Sequence, residues 1–234
     1  MNTFFSRKQR FFFYFLPISL LTTFFLLFSV FTLSACKNSV NYNDYVSELR
    51  ANIFLGEWED FSLRIYSVRK ENPYATDGIP KEGTHRTEVY LSAPEGDETC
   101  NLTFMVNGTP YGGEMSFDNV RAEYYFFCTL DSANESRLDC EISYGEKAFS
   151  ISALSVKTED TLTPKNALAL LIKEENELFK SLTDKYGFSG EIHLRLIYED
   201  APFYYVGIID RTGKINAFLL NAQTGKILAK RQSE

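Results

Sequence analysis

The spacing of apolar residues changes character repeatedly along this chain. Phe11 to Leu33 is a run of 23 residues without a charge. Tyr45, Val46, Leu49, Ile53 and Phe54 then recur at three and four residues, which predicts a short amphipathic helix ending near Gly56. From Phe61 the period becomes two: Phe61, Leu63 and Ile65 alternate with polar neighbours, as do Val89 and Leu91. Between these strands the Pro- and Gly-containing stretch Asn72 to Gly83 reads as a long surface loop. Asn107-Gly108 is a two-residue hairpin signal, because both residues tolerate positive φ. A hairpin centred there sets Phe104 opposite Tyr111 and Cys100 opposite Met115. A second hairpin centred on Asn134 sets Leu130 opposite Leu138, Cys128 opposite Cys140, Phe126 opposite Ile142 and Tyr124 opposite Tyr144. Gly145-Glu146 then turns the chain into Lys147 to Ser155, with Phe149, Ile151 and Ala153 on one face.

A different grammar begins at Thr163-Pro164, an N-cap followed by proline at the first helical position. Leu168, Leu171, Leu178, Leu182 and Tyr186 share a helical face, and Gly187 is a natural stop. Strands follow at Ile192 to Leu196, Phe203 to Ile209 and Ile215 to Leu220, with Asp210 to Gly213 as a turn and a closing segment after Thr224-Gly225. The expected fold is therefore α+β: an antiparallel, sandwich-like β-rich domain over 44–157, then a small helix-plus-three- or four-strand antiparallel module over 163–231. This helix-then-meander ending in Thr224-Gly225-Lys226-Ile227 resembles the PepSY-type modules of secreted and membrane proteins, with Asn221 where Asp is usual. The resemblance implies a non-catalytic module linked to peptidase regulation or to the envelope environment. The residues by themselves also describe any α+β module with a Thr-Gly turn.

The leader decides the compartment. Arg7, Lys8 and Arg10 precede the uncharged run, and Leu33-Ser34-Ala35-Cys36 closes it, which gives the basic, apolar and small-residue parts of an export signal. The last four residues resemble the lipobox of bacterial lipoproteins. That resemblance implies cleavage after residue 35, diacylglyceryl attachment to Cys36, a tether over 36–43 and a body held at the cell membrane outside the cytoplasm. An uncleaved membrane-spanning anchor is the alternative, since roughly 20 apolar residues span a bilayer; it leaves the body on the same side.

Removing residues 1–35 takes away three of the 24 basic residues and none of the 31 acidic ones, so the remainder carries a formal charge of −10. Such a body has no electrostatic footprint for nucleic acid. Outside the cytoplasm a disulfide is chemically allowed. The register above pairs Cys128 with Cys140, and a bridge there stabilises by about 3 kcal/mol in the chain-entropy model. Two buried free thiols are the alternative, and Cys100 reads as a core thiol.

No catalytic constellation emerges. His85 and His193 have no second ligand at metal spacing, so neither a metal nor another cofactor is expected. Glu57 with Glu59, and Asp139 with Glu141, have the residue types for acid–base work, but alternating strand positions more often make a solvated face. Trp58, Tyr66, Tyr74, Tyr90 and Tyr111 are candidate exposed aromatics that would stack on sugar rings or anchor a partner. The expectation is a non-enzymatic envelope protein that binds a protein or peptide. A surface glycan-binding module is the alternative, and a carboxylate-dependent hydrolase ranks behind it.

Overall fold

The computed structural model describes residues 40–73, 77–94 and 98–233. The expected leader, the expected lipidation position Cys36 and the candidate aromatic Tyr74 lie outside these residues. Asn41–Glu234 is one compact unit. It is mostly antiparallel β-sheet with two short helices, a β-rich part followed by a small helix-and-strand module.

A single 3-10 turn, Tyr42–Tyr45, leads into β1, Val46–Trp58. The expected helix at Tyr45 to Gly56 is thus a strand. Its misleading spacing has a local cause. The register slips by one between Arg50 and Asn52, and a bulge shifts a period-two pattern out of phase. Ile53 and Phe54, adjacent and hence on opposite faces, are both buried, which removes the remaining alternation.

β2 (Phe61–Glu71), β3 (Gly83–Ser92), β4 (Cys100–Val106), β5 (Thr109–Glu114), β6 (Ser116–Asp118), β7 (Glu123–Cys128), β8 (Arg137–Tyr144) and β9 (Lys147–Ser155) complete the first region. β1, β2, β3, β7 and β6 pair in that order, and β5, β4, β8 and β9 form the facing layer. β9 closes on β1 through Phe54–Ser155 and Leu55–Leu154. Phe54, Leu63, Ile65, Leu91, Leu102, Phe104, Ile142 and Ile151 fill the space between the layers.

The Asn107-Gly108 hairpin forms in the expected register, with Phe104 opposite Tyr111 and the Met115 amide donating to the Cys100 carbonyl at 2.8 Å. The hairpin expected at Asn134 does not form: β7 pairs with β3 and β6, and β8 pairs with β4 and β9. The intended partners Tyr124 and Tyr144 still meet, edge to face at 5.8 Å, because both point into the same core from opposite layers. Alternation fixes the face of a strand and leaves its neighbour open. Residues 129–136 cross between the layers, where the buried Asn52 side chain donates to the Ala133 and Glu135 carbonyls at 3.2 and 3.0 Å.

After Ser155 the chain forms α1 (Pro164–Glu174), capped as expected by the Thr163 side chain accepting from the Asn166 amide at 3.2 Å. The helical run then breaks at Glu175 into α2 (Asn176–Ser181) and gives way to a small ribbon, β10 (Thr183–Asp184) with β11 (Gly187–Phe188). Tyr186 therefore lies in the ribbon turn and not on the helix, 82% exposed. The meander β12 (Gly190–Tyr198), β13 (Pro202–Asp210), β14 (Ile215–Asn221) and β15 (Ile227–Gln232) ends the fold. β12 pairs in parallel with the first half of β1, from Val46–Ile192 to Arg50–Arg195. One strand therefore joins the two regions into a continuous sheet.

Candidate functional site

Residues paired across strands share a face, so the register shows what the outer face of this sheet presents. The inner parity of β2, β3 and β7 is Leu63, Ile65, Val89, Leu91, Tyr124 and Phe126, all in or against the core. The opposite parity aligns Arg64 with Tyr90 and Tyr125, and Tyr66 with Glu88 and Phe127. Tyr66, Tyr90, Tyr125 and Phe127 form a chain of ring contacts at 5.6, 5.1 and 5.7 Å. None belongs to the core cluster, and Phe127 is 50% exposed.

Guanidinium groups stand over this row. Arg50 lies 4.2 Å from the Tyr66 centroid, Arg86 5.5 Å from Phe127 and Arg121 5.6 Å from Tyr90. Other cations on the face are already paired: Arg64 with Glu123, and Lys70 with Glu88 at 3.1 Å. Arg50 and Arg86 have no carboxylate within ion-pair distance among the described residues, and Arg121 reaches Asp118 only at 3.8 Å. The Arg50 Nε is buried without a hydrogen-bond partner among the described residues, so a ring face rather than an acceptor holds this guanidinium. Each such stacking contact contributes about 0.5–1 kcal/mol at a partly exposed site. It also leaves in-plane N–H donors free to meet a carboxylate in a bidentate pair. The Tyr90 hydroxyl is pushed above its ordinary pKa by burial and by nearby Glu88, with Arg121 opposing; it stays a neutral hydrogen-bonding group.

On the same face, where β1 meets β12, Arg195 donates to both Glu48 oxygens at 3.0 and 2.6 Å. Burial alone would raise the Glu48 carboxyl, but Arg195, Lys70 and His193 outweigh it and hold it below its ordinary value. Burial pushes His193 below its ordinary value against the pull of Glu48, with the two side chains 4.0 Å apart. This cluster ties the two regions together and fixes Glu48 as a charged acceptor already in use.

Several residues singled out from sequence lie elsewhere. Trp58 stacks on Phe149 at 4.1 Å and Tyr111 on Phe104 at 5.9 Å, both against the core. Glu57 and Glu59 are exposed. Asp139 bonds Ser152 and pairs with Arg137 at 3.0 Å, while Glu141 faces solvent on the other layer. His85 pairs with Asp131 at 3.3 Å. Among the described residues no group of three or more His, Cys, Asp or Glu side chains is arranged to hold a metal ion.

Cys128 and Cys140 stand on strands that do not pair, so the register argument for a bridge between them falls away, and both are free thiols together with Cys100. Burial raises the Cys100 thiol to about 11 and the Cys140 thiol to about 12. Neither supplies a thiolate at neutral pH.

Tyr125, Phe127, Arg50, Arg86 and Arg121 were not visible as candidates. In Tyr124-Tyr125-Phe126-Phe127 the expected register turns Tyr124 and Phe126 inward, which leaves Tyr125 and Phe127 outward, but only the pairing of this strand with β3 brings them beside Tyr66 and Tyr90. Comparison of the chain with family models, characterised proteins and solved structures finds no match.

Proposed function

We propose that this protein is a lipid-anchored, non-catalytic binding protein of the cell envelope, and that the outer face of β2, β3 and β7 holds its partner, a protein or peptide segment bearing carboxylates. The observation that carries this reading is the row Tyr66–Tyr90–Tyr125–Phe127 with ring-held guanidiniums lacking strong acidic partners. Rings pre-ordered by one another lose little entropy on binding, and aromatic and arginine side chains dominate interface energetics. On a body with a formal charge of −10 outside the leader, unpaired arginines grouped on one face favour an acidic ligand. The basic, apolar and Leu33-Ser34-Ala35-Cys36 parts of the leader support export and lipidation at Cys36, and the helix-and-meander module is in keeping with an accessory role in the envelope. No residue carries support as a catalytic group.

The glycan-binding reading keeps one observation in its favour, the aromatic row itself. Against it, Arg50, Arg86 and Arg121 each take a face of a ring that a sugar would need.

The test is affinity capture from solubilised envelopes of the native host, with the wild-type lipoprotein and an Arg50→Glu/Arg86→Glu variant side by side. We expect one acidic protein to be enriched by the wild type and at least tenfold less by the variant. Identical capture profiles, or capture of neutral glycan by both, would overturn the reading. A Cys36→Ser change that leaves lipid labelling intact would overturn the anchor.

A further inference from the structure

The first turn of the body is fastened to the β10–β11 ribbon. The Tyr42 ring packs on Phe179 and Phe188 at 4.9 and 5.3 Å, and its hydroxyl lies 3.2 Å from the Thr183 hydroxyl. Tyr45 packs on Phe188 at 5.3 Å and accepts from the Phe188 amide at 3.2 Å. The ribbon turn Asp184-Lys185-Tyr186 is closed by the Tyr186 amide donating to the Asp184 carboxylate at 2.7 Å. That turn sends the Tyr186 ring into solvent, 82% exposed, with the Lys185 ammonium 4.7 Å from its centroid. Gly78 lies beside the end of the ribbon, where a Cβ would meet the Phe188 and Ser189 backbone at an ordinary 3.4–3.6 Å. The next residue, Ile79, is 62% exposed. Two large apolar side chains are thus uncovered at the corner where the chain enters the body.

Covalent geometry limits how far this corner can lie from a lipidated Cys36. Five residues lie between Cys36 and Tyr42, and even fully extended the six steps span only about 20 Å. A unit of this size has a radius of gyration of about 16 Å, so an acylated Cys36 keeps this corner nearer the bilayer than the body is wide. Tyrosine favours the headgroup level, where its ring is shielded and its hydroxyl stays wet. Charge does not contribute a net pull: Asp44, Glu177 and Asp184 offset Lys180 and Lys185.

We infer that the β10–β11 turn, through Tyr186, rests in the headgroup layer of the membrane that carries the anchor, whether or not its lipids are charged. This inference depends on the proposed lipidation of Cys36.

The test uses the full lipidated chain in vesicles of phosphatidylcholine with brominated acyl chains, after mass spectrometry has verified the acyl groups on Cys36. Tyr186→Trp is compared with the wild type, whose single Trp58 lies against the core, and with Val120→Trp at a 95% exposed turn beside β6. Tyr186→Trp should lose at least half of its added emission, with neutral and with anionic vesicles alike, and Val120→Trp should lose none. Equal quenching at both positions, no quenching at 186, or quenching at 186 only with anionic vesicles would overturn the docking while leaving the lipidation standing. A chain without acyl groups on Cys36 would overturn both.

Discussion

Glu71 is buried at the end of β2, where its carboxylate accepts from the Lys81 amide at 3.2 Å. Burial raises its pKa above the ordinary 4.5, and Glu191 and Asp77 add to the rise while Lys81 opposes it. A raised folded-state pKa means that the proton stabilises the fold, fully below pH 4.5 and progressively less as pH rises through the folded value. Glu71→Gln mimics the protonated form and keeps an acceptor for Lys81. It should raise Tm at pH 7, and the advantage should vanish below pH 4.5. Thermal melts of both proteins across that range check the sign, and a lower Tm for the variant at pH 7 would contradict it. At this scale the sequence was partly readable. Tyr66 and Tyr90 were among the candidate exposed aromatics, each beside a core residue of its strand, whereas Tyr125 and Phe127, inside an all-aromatic run, were not.

The elements show why local signals were read correctly and long-range ones were not. Asn107-Gly108 specifies its own turn, so β4 and β5 followed in register. Gly112 is needed there for a second reason: at φ +155° its Cβ would stand 2.0 Å from the Leu102 carbonyl oxygen. Thr163-Pro164 and Asp210 to Gly213 worked in the same way, because cap and turn chemistry acts over a few residues. β1 failed as a helix because a bulge disguised its period, and β7 and β8 failed as a hairpin because eight residues between them cross layers. The closure of that crossing rests on Asn52, which bonds Ala133 and Glu135 while accepting from the Ser155 hydroxyl at 2.7 Å. Asn52→Ala strands the half-buried Glu135 carbonyl and removes the acceptor of the Ser155 hydroxyl, while the Ala133 carbonyl keeps the Lys157 ammonium at 2.7 Å. The change should cost about 2 kcal/mol, or about 4–8 °C in Tm, and calorimetry reads it directly.

Across the whole molecule, the strand that joins the regions matters more than the boundary between them. β1 pairs with β2 along its length, with β12 at its start and with β9 at its end, and no sequence signal could show that the first strand seeks a partner almost 150 residues away. Because the two regions share β1 and the Glu48–Arg195 pair, they should melt as one. Trp58 fluorescence, which watches the first region, and far-UV dichroism should give coincident transitions; two separate midpoints would contradict this coupling. The proposed binding surface, the aromatic and arginine face, is the one that the core between the layers does not use. The measurement that tests this most directly is site-specific photo-cross-linking in cells of the native host, with p-benzoylphenylalanine introduced at Tyr90 or, on the outer face of the other layer, at Thr103. One dominant cross-linked partner is expected from position 90, at least tenfold weaker in the Arg50→Glu/Arg86→Glu background, and none from position 103. Equal yields from the two positions, or a cross-link from 90 that ignores the arginines, would contradict the proposal.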